Sequence, residues 1–334
     1  MNCRLYCFFC LMFTVLSTNI AVCQSRTSNR QIGKINIDSS FVRQHMYALS
    51  SDDMQGRKSG TEGIEKAAKY IESEFFKIGL KPFKGLKSYR QNFRSSGMNL
   101  CNIIGVLKGT SKKYKEEWVV VSAHYDHLGI LKPVAGDSIA NGADDNASGV
   151  AAVLALADYF KKRKKHRRTI VFVAFTGEEM GLLGSTYFGE QLDVHNCVAG
   201  INIEMIGKTS IFGEKSAFLT GYHRSNLGEI IQKNLKRTSY TLHPDPYEKF
   251  NLFYRSDNAS LAKLGVPAHT FSTCPIDTDS YYHTVDDELQ TLNIQTITNT
   301  IAAIAIGTES IIQAKDTPTR IALKKIEMQK RTKD

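Results

Sequence analysis

Five short polar segments carry residue types able to do chemistry. They are His124-Tyr125-Asp126-His127, Gly142-Ala143-Asp144-Asp145-Asn146, Thr176-Gly177-Glu178-Glu179, the single Glu204, and Tyr281-Tyr282-His283-Thr284. Alone, each has a bland reading. A lone His at a strand end is more often a satisfied polar residue than a ligand, and an Asp-Asp pair more often caps or faces water. Gathered in one place they demand more. Three or four converging carboxylates repel one another and pay desolvation, so positive charge must hold them. Two imidazoles among the donors favour a transition metal over calcium, and zinc suits mixed His and carboxylate ligands first.

Such residues need a scaffold that brings them together. Apolar runs Asn102–Leu107, Trp118–Ala123, Thr169–Phe175, Gly200–Ile206 and Val266–Ser272 read as strands. Those of Trp118 and Thr169 are unalternated, as in strands buried on both faces. Between them, 3.6-residue spacing predicts helices over Thr61–Leu80, Asn146–Lys161, Leu227–Leu235, Asn258–Leu264 and Ile294–Ile312. In the first, Ile64, Ala67, Ala68, Ile71, Phe75 and Ile78 share a face, with Thr61 and Gly79 placed to cap its ends. Strands alternating with helices predict an α/β fold: a three-layer α/β/α sandwich with a mixed, mostly parallel central sheet. Ligands of such sheets gather at the carboxyl ends of the strands. The polar segments above fall just there in the sequence.

In order and spacing, SAHYDHLG, NGADDNASGVAAV, FTGEEMGLLGS, SDNASLAKLGVPAHTF and YYHTVDDE resemble the co-catalytic zinc aminopeptidase family. That family includes secreted bacterial leucyl aminopeptidases, glutamate carboxypeptidases and glutaminyl cyclases. The resemblance takes in LSSDDMQGRKSGTEG and spans about residues 45–312. It implies a zinc-exopeptidase-like fold and a zinc-dependent exopeptidase, an aminopeptidase acting on peptides, with two zinc ions. Carried over, His124 matches a metal ligand and Asp126 the carboxylate that orients its ring. Asp145 matches the ligand shared by both metals, with Asp144 its neighbour. Glu178 matches the general base, Glu179 a further ligand and His283 the last one. Tyr282 matches the position from which one branch of the family supplies an oxyanion donor, and Tyr254 lies one place off the position used by another branch. Asp257 matches a supporting residue.

Glu204 departs from the pattern, which has Asp there. One extra methylene leaves two outcomes open: ligation, or a site holding one zinc. The rival reading is a single-zinc enzyme that cyclises N-terminal Gln. A member that binds peptides without cleaving them is a further alternative, opposed by the intact set of donors.

The rest of the chain bounds the reading. Its 334 residues carry a formal charge of +10 with 42% hydrophobic residues, which excludes a fully disordered chain. Seven cations lie in Lys161–Arg168 and seven more, with three acids, in 315–334. The basic balance is thus local, no nucleic-acid motif accompanies it, and a nucleic-acid partner is not expected. Residues 1–23, with one basic residue before a short apolar run, read as a signal peptide. Export to the periplasm or exterior is therefore expected, with no transmembrane segment in the mature chain; lipidation at Cys23 is the minority reading. Segment 24–36 reads as loose, 37–314 as the zinc metallopeptidase domain and 315–334 as a basic tail. Cys101, Cys197 and Cys274 lack CxxC spacing and read as structural thiols.

Overall fold

A computed structural model describes residues 35–323. The expected signal peptide, Cys23, nearly all of the 24–36 segment and the tail from 324 lie outside these residues. In chain order the elements are helices α1 (Ser39–Leu49) and α2 (Glu62–Ile78), then strands β1 (Lys81–Pro82), β2 (Arg90–Ser95), β3 (Met98–Leu107), β4 (Trp118–His124), β5 (Gly129–Val134) and β6 (Asp137–Ala140). They continue with α3 (Gly149–Arg163), β7 (Thr169–Phe175), α4 (Leu183–Gln191), β8 (Cys197–Ile203), β9 (Ser216–Leu219), α5 (Leu227–Leu235) and β10 (Thr241–Pro244). The last are α6 (Asn258–Ala262), β11 (Ala268–Ser272) and α7 (Ile294–Ile312).

Nine strands form one mixed sheet in the order β1-β3-β7-β4-β8-β11-β9-β10, with β2 paired to β3. The central strands β7, β4, β8 and β11 run parallel. Antiparallel pairings join β3 to β7, β1 and β2 on one flank and β9 to β11 on the other. The sheet is buried from both sides, and β7 shows why its sequence does not alternate. Ile170, Phe172 and Ala174 belong to the core shared with α1, α2, α3, α5 and α7, while Val171, Val173 and Phe175 belong to the core shared with α4 and α6. Successive side chains of a strand point to opposite faces, so a strand between two layers needs apolar residues at every position. The expected three-layer arrangement is borne out.

Helix α2 begins one residue after Thr61, whose hydroxyl donates to Lys58 O at 2.7 Å rather than capping the helix. It ends at Gly79, which takes the left-handed conformation (φ 80°) and donates to Phe75 O and Phe76 O. Lys161 Nζ closes the same end by donating to Gly79 O at 2.7 Å. Other cations of the basic run are also engaged. Arg163 pairs with Glu309. Arg168 is buried and donates to Glu117 Oε2, Ile311 O, Asp316 O and Thr317 Oγ1. The first residues of the expected tail, 315–323, therefore pack on the domain. Ile321 is buried and bonded to Gly265 O, and Arg320 donates to Cys197 O and Val194 O. Cys101, Cys197 and Cys274 are free thiols. Among the described residues no helix is long and apolar enough to cross a membrane.

His269 on β11 is fully buried. Its Nδ1 donates to Thr220 O at 2.9 Å, and its Nε2 accepts from Ser225 Oγ at 2.7 Å. Burial pushes it from an ordinary 6.5 down to about 4, with Arg224 adding to the effect and Thr220 opposing. The folded value lies below the unfolded one. Its contribution to stability is therefore full above pH ~6.5 and lost as pH falls through 6.5 toward 4. Of the stability present at pH 7, about 2 kcal/mol is expected to be gone at pH 5 from this group. Urea unfolding at the two pH values should show a shallower loss in His269→Gln; equal losses in both proteins would contradict the assignment.

Candidate metal centre

Because β7, β4, β8 and β11 are parallel, their carboxyl ends share one edge of the sheet. His124 is the last residue of β4, Glu178 and Glu179 follow β7, and Glu204 follows β8. His283 lies in the long connection after β11. Asp145 sits in the turn Ala143–Ser148 that leads into α3. That turn is tied on two sides. The Asp287 carboxylate accepts the N–H groups of Asp144 and Asp145, each at 2.9 Å. Asn146 Nδ2 donates to Ile203 O at 3.0 Å, and its Oδ1 accepts from Gly149 N at 2.9 Å. Asp144 turns away and accepts from Gly207 N at 2.7 Å.

Asp145 stands between two imidazoles. Its Oδ1 is 3.2 Å from His124 Nε2, and its Oδ2 is 3.3 Å from His283 Nε2. Glu179 Oε2 lies 3.4 Å from the same His283 nitrogen. Glu204 reaches the cluster despite its extra methylene. Its carboxylate, His124 and Asp145 offer donor atoms within 4.8 Å of one another. His127, Asp145 and Glu179 form a second such group.

Charge in this cluster is unbalanced. Burial pushes Glu178 well above the ordinary carboxylate range; His124 opposes, while Glu204, Asp257 and Glu179 add to the rise. Burial also lifts Glu204 to about 7, with Asp145 and Glu179 repelling its charge. His124 is raised well above its ordinary value even though burial works against it, because Glu178, Asp145 and Glu204 favour its cation. Asp145 is held well below the usual range by His124 and His283, against its own burial. His124 Nε2 and Glu204 Oε2 are buried and find no hydrogen-bond partner. Donors of this kind, bare and surrounded by excess carboxylate, fit one or two divalent zinc ions.

The remaining expected residues fall near the cluster with some changes. Asp126 is buried, but its carboxylate lies 3.8 Å from His124 Nδ1, beyond a hydrogen bond. The ring nitrogen is instead 3.1 Å from the Asp126 backbone oxygen. The carboxylate accepts from Glu178 N at 3.1 Å and Ser59 Oγ at 3.2 Å, so it braces the Glu178 backbone. Tyr282 stacks on His283 with ring centroids 3.8 Å apart, and its hydroxyl accepts from Arg255. Tyr254 is 40% exposed, on the rim. Both tyrosines line a cavity of about 400 Å³ together with Glu178, Glu179 and Glu204, whose apolar wall includes Met205, Phe218, Leu252 and Ile276. Asp257 is buried behind the cleft.

Two participants escaped the sequence reading. His127 is buried with its Nδ1 3.0 Å from Glu179 Oε1; its place three residues after His124 was the available signal. Arg57 is fully buried and donates to Leu49 O, Tyr125 O, Asn141 O and Gly142 O at 2.5–3.0 Å. It ties β4's end to the strand that enters the Asp145 turn. Nothing in a polar run such as Asp52–Arg57 marks it out.

Comparison with known proteins agrees with this picture. Residues 102–306 match the model of peptidase family M28. Leucine aminopeptidase 1 of Trichophyton rubrum is 31% identical over 219 residues, which cover 62% of this chain and 55% of that protein. The matched segments cover between 22% and 61% of the length of such curated relatives. Among solved structures, a zinc aminopeptidase from Bacillus subtilis superposes with a TM-score of 0.68 at 16% identity, covering 85% of this chain and 98% of the other. A Porphyromonas gingivalis glutaminyl cyclase gives 0.62 at 16% identity, covering 82% and 97%. At such identity these two speak to the fold. The family match covers more than half of the chain and agrees with the motifs in their order: the chain belongs to peptidase family M28.

Proposed function

We propose that this protein is a zinc-dependent aminopeptidase that removes N-terminal residues from peptides. The observation that carries the reading is a surplus of carboxylates close to His124 and His283, opening onto one cavity with an apolar wall. His124, Asp145 and Glu204 would hold one zinc, and Asp145, Glu179 and His283 a second. Bound zinc supplies Lewis acidity toward the scissile carbonyl and acidifies water beside it. Glu178 takes the proton as that water attacks and returns it to the leaving amine. Its backbone is held by Asp126, so the carboxylate is presented at a fixed place. Tyr282 or Tyr254 offers a hydroxyl to the developing oxyanion. A free α-amino group suits a wall built of Asp145, Glu178, Glu179 and Glu204. The wall of Met205, Phe218, Leu252 and Ile276 suits an apolar first side chain. Export to the periplasm or exterior remains part of this reading, on the strength of residues 1–23.

Hydrolysis of Leu-p-nitroanilide, tested beside a peptide that begins with Gln, checks the proposal. Release of p-nitroaniline without ring closure of the Gln peptide is expected. Cyclisation alone would replace the aminopeptidase by the glutaminyl cyclase reading, which the likeness of fold keeps in view. Chelation gives a second check. Ligands that bind only the native state raise stability by mass action, and a thousandfold excess over Kd is worth about 4 kcal/mol. Dialysis against a chelator should lower the Tm by at least ~5 °C, and zinc should restore it. An unchanged Tm in scanning calorimetry would count against the centre.

A further inference from the structure

His127 has no part in the ligand set drawn above, yet it faces the same carboxylates. Its Nδ1 is 3.0 Å from Glu179 Oε1 and 3.8 Å from Asp145 Oδ2. His283 Nε2 stands 3.4 Å from Glu179 and 3.3 Å from Asp145 Oδ2. Each ring thus presents one nitrogen to the same pair of side chains, with the rings 5.9 Å apart at 69°. Zinc–ligand distances of 2.0–2.1 Å place neighbouring tetrahedral donors about 3.4 Å apart. The separations seen here bracket that value.

We propose that His127 is itself a zinc ligand through Nδ1, completing with His283, Asp145 and Glu179 a site with two imidazoles. This rests on the reading of the cleft as a two-zinc centre. Three observations place the ring for coordination through Nδ1. Nδ1 addresses two carboxylates, and a ring that served only as a donor would need one. Its other nitrogen, Nε2, is buried and makes no hydrogen bond, which leaves Nδ1 as the ring atom that meets the carboxylates. The backbone is also shaped to admit the ring. Gly142 adopts φ +54°, and a Cβ there would lie 2.5 Å from His127 Cγ and Cδ2. Among the described residues, neither Lys nor Arg forms an ion pair with Glu179 or Asp145, and the groups within 4 Å that do are the imidazoles of His124, His127 and His283.

The consequence is an asymmetric pair. One metal would take a single imidazole, His124, with two carboxylates. The other would take two imidazoles and hold its ion more tightly, since imidazole suits zinc well. Cobalt(II) binding followed by equilibrium dialysis and by its visible absorption tests this. His127→Asn keeps an amide donor near the Nδ1 position but removes the imidazole. Wild type should bind two equivalents. The variant should bind one of them tenfold to a hundredfold more weakly, with the other unchanged and the absorption band altered. Wild-type affinities and spectrum in His127→Asn would overturn the role of His127 and leave the two-zinc reading standing. A wild type that binds no cobalt would overturn the two-zinc reading itself. Should the variant fail to fold, wild type alone decides. With ¹⁵N-histidine and ¹¹³Cd, one cadmium resonance should be split by two nitrogens and the other by one; splitting of each by a single nitrogen overturns the proposal.

Discussion

Glu178→Gln is expected to keep its zinc and lose about 10²–10⁴-fold in kcat. The amide has the shape of the carboxylate but cannot accept the proton of the attacking water. Glu178 is suited to this substitution because its contact with Asp126 is made through the backbone N–H, which the change leaves in place. Its side chain lines the cavity and belongs to neither group of close donors, which contain Glu179 and Glu204. The KM should therefore move little. Steady-state kinetics with Leu-p-nitroanilide, together with zinc content by atomic spectroscopy, separates the outcomes. Lost turnover with full zinc supports the base. Full turnover removes Glu178 from that role, and lost zinc would mean that its carboxylate is a ligand.

Arg57→Met should destabilise the domain by about 3–5 kcal/mol. The guanidinium is fully buried, and burial lowers its pKa to about 10, with Asp145, Asp287, Asp126 and Glu179 working in the other direction. Four backbone carbonyls from α1's end, β4's end and the segment before the Asp145 turn depend on it. Removing it leaves these acceptors buried without donors, each at a cost of roughly 1–3 kcal/mol before relaxation. Arg57→Lys should recover only part of the loss, since a compact ammonium cannot span the arc that a planar fork covers. Urea unfolding at pH 7 measures both. A loss under ~1 kcal/mol in Arg57→Met would show that water replaces the guanidinium at no great cost.

The parts of the fold legible in the sequence are those whose environment is uniform along the element. Strand β7 lies between two helix layers, so after Thr169 it is apolar from Ile170 to Phe175 and its limits read directly. Helix α7 buries an Ile/Ala face along its whole length, and its expected span matches Ile294–Ile312. Helix α4 is not legible because Leu183–Gln191 has two glycines and no apolar stripe; it is held by Phe188 in a small second core and by the hydrogen bond between the Ser185 and Ser260 hydroxyls. The expected start of α3 at Asn146 is three residues early. Asp145 and Asn146 leave helical geometry so that the Asp145 carboxylate can stand between two imidazoles, and the helix begins at Gly149. Short strands β9 and β10 and the β5–β6 hairpin have too few residues for a period to show. At the site, the ordered motifs named His124, Asp145, Glu179 and His283, and with Glu204, which departs from its motif, they lie close together at the strand ends. His127 could not be placed among them from spacing alone, because whether a second His three residues on faces the cluster depends on how the chain turns after β4.

The Asp145 turn has a consequence for the order in which the protein can come into being. Its two N–H groups are held by Asp287, 142 and 143 residues further along. His283 is equally late in the chain. During synthesis, the carboxylates at 145, 178, 179 and 204 are thus all made before the residues that hold and complete their cluster. A nascent chain ending short of 283 carries the acids without the closing imidazole or the clamp on the turn. A zinc site that includes His283 would therefore close only once the chain has been made past Asp287, whereas His124, Asp145 and Glu204 are all present by residue 204.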